Sequence, residues 1–169
     1  MNTSKFFSIA LLPLLMLTLQ HCDKNDPKPL TELEKLPPAT QSGKRTFGCL
    51  VDGKAWVIEQ ITHVQAYYQT GTLGVSAGVV NTSFNSNLSF YLVDLGLSER
   101  IYQLGEEING LYGRYFDHRS VCGYLTDVEY IGTVSITHLD KVNFIVSGTF
   151  EFEAYSEDCT KIVDRKSVV

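Results

Sequence analysis

Proline is missing from most of this 169-residue chain, since all five prolines precede Arg45. Nothing after that point therefore carries the residue that interrupts a strand ladder. Several catalytic and ligand signatures are also absent. There is no C-x-x-C pair, no H-E-x-x-H helix, no G-x-S-x-G elbow, no phosphate loop and no calcium loop, so the sequence offers no recognisable zinc, serine-hydrolase, nucleotide or calcium chemistry. No uninterrupted apolar run reaches the roughly 20 residues that a spanning helix needs. The 14 Lys and Arg are outnumbered by 19 Asp and Glu and do not cluster. That balance argues against nucleic acid and against attraction to anionic headgroups. What remains is 44% hydrophobic and 20% charged with a mean hydropathy of -0.02, the balance of a folded domain. Nine Phe, nine Tyr, one Trp and 13 Gly lean it toward short strands and turns.

The N-terminus reads as a targeting segment. Lys5 supplies a positive start, and Phe6 to Leu19 form an apolar stretch broken by Ser8, Pro13 and Thr18, the length of a signal-peptide core. The stretch ends at Leu19-Gln20-His21-Cys22 and the chain turns polar at once with Asp23, Lys24, Asn25 and Asp26. This switch resembles a bacterial lipoprotein signal over residues 1–21, with Cys22 as the lipidated first residue of the mature chain; ordinary secretion is the alternative, since His21 stands where that signal has a small residue. The resemblance implies an outer-membrane or cell-surface location and a membrane partner reached through the lipid alone. A lipidated Cys carries more than one acyl chain, which stable anchoring requires. Only Lys5 among the charged residues precedes Cys22, so the mature part carries 13 minus 19, or -6. Residues 22–43 hold Pro27, Pro29, Pro37 and Pro38 and read as a flexible, extended tether.

Residues 44–169 read as one β domain. Thr46 to Val51 and Lys54 to Ile58 flank Asp52-Gly53, a pair that accepts the positive φ of a tight hairpin turn. Val64, Ala66 and Tyr68 alternate with polar neighbours, as do Leu73, Val75, Ala77 and Val79, and then Leu88, Phe90 and Leu92. Val134, Ile136 and His138 lead through Asp140-Lys141 to Phe144, Val146, Gly148, Phe150 and Phe152, opposite a wet face of Thr133, Ser135, Thr137, Ser147, Thr149, Glu151 and Glu153. One dry and one wet face per strand predict an all-β, antiparallel β-sandwich or small barrel. Gly96 to Gly110 is irregular and is expected to hold connections.

Two stretches carry a family resemblance. Leu36-Pro37-Pro38-Ala39-Thr40, Gly43-Lys44 and Thr46-Phe47-Gly48-Cys49-Leu50-Val51-Asp52-Gly53-Lys54-Ala55-Trp56 resemble the opening of a Bacteroidetes family of lipoproteins without an assigned activity. The later Gly132-Thr133-Val134-Ser135-Ile136-Thr137, Leu139-Asp140 and Ser147-Gly148-Thr149-Phe150-Glu151-Phe152 are similar too. The resemblance implies a small β domain on a lipid anchor and no particular chemistry. Where that family ends on a Thr-Asp-Gly-Arg-Phe-Asp-like strand, this chain reads Val163-Asp164-Arg165-Lys166-Ser167-Val168, which predicts an altered or unpaired last strand.

With Cys22 lipidated, Cys49, Cys122 and Cys159 allow one disulfide in an oxidising compartment. Cys49 with Cys159 is the expected pair, because it would tie the first strand to the last hairpin across a long loop, leaving Cys122 as a small buried residue. Catalytic, metal-ligating and cofactor residues are not predicted. His138 lies on an apolar register, Asp117 and His118 point to opposite strand faces, Glu106-Glu107 reads as a solvated pair, and Trp56 reads as a core plug with sugar stacking as the alternative. The candidate ligand-binding set is Tyr112, Arg114, Phe116 and His118, which share one face of a strand and have the mixed aromatic and polar character of a sugar- or peptide-binding surface. Two functions follow from different classes. One is a non-catalytic anchored envelope protein that is structural or binds protein or polysaccharide; the other is a small-ligand carrier with an apolar cavity. A filled core favours the first, and a cavity above about 300 Å³ lined by aromatics favours the second.

Overall fold

The computed structural model describes residues 28–58, 63–159 and 163–166. The expected signal segment, Cys22 and the first part of the tether lie outside the described residues. Among the described residues eleven strands run β1 Gly48–Val51, β2 Lys54–Val57, β3 Val64–Gln69, β4 Thr72–Val80, β5 Asn85–Val93, β6 Ile101–Leu104, β7 Leu111–Asp117, β8 Cys122–Leu125, β9 Gly132–Asp140, β10 Ile145–Ala154 and β11 Val163–Lys166. They form a six-stranded sheet in the order β2-β1-β11-β10-β9-β6 and a five-stranded sheet in the order β3-β4-β5-β7-β8, antiparallel throughout. The two sheets make a sandwich, not a closed barrel.

Local sequence explains each hairpin. Asp52 and Gly53 both adopt positive φ, 49° and 76°, the pairing that a right-twisted two-residue turn requires, and they join β1 to β2 in the expected register with Cys49 opposite Trp56. Alternation then sends Leu73, Val75, Ala77 and Val79 of β4 and Leu88, Phe90 and Leu92 of β5 into the core, where they meet Val134 and Ile136 of β9 and Phe150 and Phe152 of β10. Phe90 and Phe150 pack across the sheets with centroids 5.5 Å apart. Trp56 is 0% exposed, and its indole Nε1–H donates to the buried Ser86 Oγ at 2.8 Å, tying β2 of one sheet to β5 of the other. The indole is thus the core plug, with its one polar atom satisfied.

Three expectations change here. The last strand is paired on both sides: β11 sits between β10 and β1, with Phe152 opposite Arg165 and Leu50 opposite Lys166. Backbone ladders tolerate a changed side-chain motif. Within Gly96–Gly110, β6 pairs with β9, burying Tyr102 and Leu104 on alternate positions. Four residues are too short a run to stand out as alternation. Third, the later part of the expected flexible tether is laid against the domain. Thr31 and Glu34 close a turn by reciprocal side-chain to backbone hydrogen bonds, and the Glu32 carboxylate accepts from the Ala55 amide of edge strand β2 at 2.7 Å. Pro37 covers Gly48 so closely that a Cβ there would lie 2.7 Å from the ring, and Gly43, at φ +66°, passes against Ile145 of β10.

The disulfide joins Cys122 to Cys159, not Cys49 to Cys159. After β10 the chain continues as Tyr155, which bridges Leu125 of β8, so the segment leading to Cys159 runs beside β8. Cys49 lies in the middle of β1, fully buried in the core. Loop length had favoured the longer closure, but sheet order decides which thiols meet.

Candidate functional site

Residues of the five-stranded sheet that point away from the core form the first candidate surface. Register places Tyr67, Gly74, Tyr91 and Tyr112 in one row across β3, β4, β5 and β7. Glycine at the second position leaves room for the Tyr67 ring, whose Cε1 lies 2.4 Å from where a Cβ would sit. Tyr91 and Tyr112 stack with centroids 4.8 Å apart. Burial first, and then the charge of Glu107, push the Tyr112 phenol up to about 12, so it stays a neutral donor. Further along the same face, the Arg114 guanidinium lies 6.0 Å from the Phe116 ring, Phe116 meets His118 edge-on at 4.8 Å, and His118 Nε2 is 2.6 Å from Asn87 Oδ1. The four residues picked from sequence thus share one outward face. Tyr115, their neighbour, turns inward against Tyr124 instead. Tyr67 and Tyr91 come from other strands, and only the register joins them to this surface.

The second candidate is a cleft of about 830 Å³ between the sheets, which the sequence did not locate. Its origin lies in β3. Val64, Ala66 and Tyr68 pair with the buried Ala77, Val75 and Leu73 and so share their face, yet β3 itself is largely exposed because the facing sheet leaves its inner side uncovered. The floor is core: Phe47, Leu73, Val75, Phe90, Val134, Ile136 and Phe150. Phe47 stacks on Phe150 at 5.3 Å, and Phe150 meets Phe90, so a continuous aromatic lining runs inward from the opening. One wall is β3, another is β10 from Ile145 to Thr149, and the segment from Ser42 to Thr46 straps the mouth. Lys141, in the β9–β10 turn, donates to the Leu97 carbonyl at 2.9 Å and sits 4.9 Å over the Tyr68 ring, fastening the hairpin tip to β3. Beside the mouth that tip leaves Phe144 89% and Val142 83% exposed.

The remaining polar candidates are accounted for by local structure. His138 Nδ1 lies 3.5 Å from Glu99, whose carboxylate also accepts from the Leu139 amide. Asp117 is held below the usual carboxylate range: its burial would raise it, but hydrogen bonds from Ser120 and Arg119 outweigh that. Arg119 in turn donates to the carbonyls of Asn81, Thr82 and Ser83, clamping the β4–β5 loop. Among the described residues no group of three His, Cys, Asp or Glu is placed to hold a metal, and no helix is long and apolar enough to cross a membrane. No family model, curated protein or solved structure matches the chain.

Proposed function

We propose that this chain is a non-catalytic binding protein of the cell envelope, held to the membrane through Cys22, whose inter-sheet cleft takes up a small ligand with an apolar body. One observation carries the reading: a cleft of about 830 Å³ has an aromatic and aliphatic floor and stands open to solvent. Ligand pockets span about 300–1,000 Å³ and are mostly apolar, with a few polar groups placed at one end. The wall strand β3 keeps an inward face that no other strand covers, and apolar side chains at the hairpin tip flank the entrance. Burying an alkyl chain there gains roughly 0.8 kcal/mol per CH₂. The test is binding of an uncharged probe, 1-dodecanol, by calorimetry. Ala66→Trp should fill the cleft and abolish binding, because Ala66 lines it from an exposed edge strand where a large side chain costs the fold little. Undiminished binding by that variant would place the site elsewhere.

A second reading is supported by the tyrosine row. Flat aromatic rings beside Arg114, Asn87 and His118 suit the faces and hydroxyls of a sugar chain, so the outer sheet would bind envelope polysaccharide. Tyr91→Ala with Tyr112→Ala should then remove binding on a glycan array while leaving dodecanol binding intact.

A further inference from the structure

We infer that the ligand of the cleft is a single-chain amphiphile with an anionic head, its tail on the aromatic floor and its head at Lys44 and Arg45; this rests on the cleft being a binding site. The chain as a whole carries -5, yet the described residues that line the cleft include two consecutive cations, Lys44 and Arg45, and among them no Asp or Glu. Among the described residues neither cation has an ion pair or a hydrogen bond. Both lie in the strap at the mouth, while the deeper lining, from Phe47 through Val75 to Phe90 and Phe150, is wholly apolar. The polarity of the site is therefore segregated, cationic at the solvent end and apolar at the buried end, the complement of a long-chain carboxylate. Ser42 and Thr46 of the strap add uncharged hydroxyls to the lining at the same end as the two cations.

Local backbone supports the strap as a shaped element. Gly43 at φ +66° sits against Ile145, and Arg45 holds φ 54°, a left-handed conformation that a side chain adopts at some cost. Phe144, across the mouth, has φ 57° as well. Such residues concentrate at ligand clamps.

The test compares dodecanoate and dodecylammonium, each below its critical micelle concentration, with 1-dodecanol below its solubility limit, binding to the full chain by calorimetry. Exposed ion pairs contribute modestly, so dodecanoate should bind several-fold to about tenfold more tightly than dodecanol. Dodecylammonium should bind most weakly, and the preference for the carboxylate should shrink in 1 M salt, where charges are screened within about 3 Å. Lys44→Ala with Arg45→Ala should weaken dodecanoate far more than dodecanol and bring the two to near parity. Both side chains are exposed and leave the core untouched; the salt dependence of the unaltered protein reads the same charge effect without any substitution. Equal binding of acid and alcohol, or a preference for the ammonium, would overturn the anionic head while leaving the apolar cleft standing. No binding of any of the three would overturn both readings.

Discussion

Breaking the Cys122–Cys159 bridge should destabilise the domain by about 4 kcal/mol. The bridge closes a loop of 37 residues, and chain entropy lost by the unfolded state gives about that figure for such a loop. For a domain of this size the loss corresponds to a fall in Tm on the order of 10–20 °C. Both cysteines belong to one bond, so Cys122→Ala, Cys159→Ala and the double variant should all lose nearly the same stability rather than adding. Cys49→Ala serves as the control. It trims one buried sulfur from the core and should cost only about 1 kcal/mol, within the range of ordinary single substitutions. Urea denaturation of the four variants measures the differences, and non-reducing peptide mapping identifies the linked pair directly. Additive losses from Cys122→Ala and Cys159→Ala, or a loss at Cys49 as large as at Cys159, would refute the pairing and the sheet order that produces it.

Other perturbations test different joints. Trp56→Phe strands the buried Ser86 hydroxyl that now accepts from the indole, and should cost about 1–3 kcal/mol beyond the lost packing; adding Ser86→Ala should then cost less than it does alone, as a urea double-mutant cycle would reveal. Gly148→Ala would place a Cβ 2.2 Å from the Ser135 carbonyl oxygen at the irregularity in the β9–β10 ladder, so the ladder must shift, and a loss of at least about 1–3 kcal/mol by urea denaturation is expected. Tyr112 deprotonates near 12 in the folded protein against 10.0 for an ordinary phenol, chiefly through burial. Between those values the native state binds the extra proton, so stability falls as pH rises from about 10 to 12, and Tyr112→Phe should flatten that stretch of a pH–stability profile.

The sequence made hairpins legible and hid what depends on sheet order. Asp52-Gly53 and the alternation around it placed β1 and β2, because turn chemistry and period are local properties. The β9–β10 hairpin was legible for the same reason, although its ladder shifts register between Ser147 and Gly148, where a small residue lets the strands approach. Tyr112, Arg114, Phe116 and His118 could be put on one face by counting along a single strand. Tyr91 and Tyr67 could not be joined to them, since register across four strands is set by long-range packing. The disulfide failed for a related reason: spacing ranks loops, whereas the Leu125–Tyr155 bridge brings Cys159 to β8. The cleft was least legible of all. It forms where β3 outreaches its cover and faces a hairpin and a strap distant in sequence, so no local pattern marks it.

Backbone amide chemical shifts of the isotope-labelled protein, followed during titration with dodecanoate, test the cleft most directly. Saturable changes are expected at Lys44 to Phe47, Ala66, Val75, Phe90 and Phe150. Changes confined to Tyr91 and Tyr112 of the outer row, or none at saturating dodecanoate, would contradict binding in the cleft.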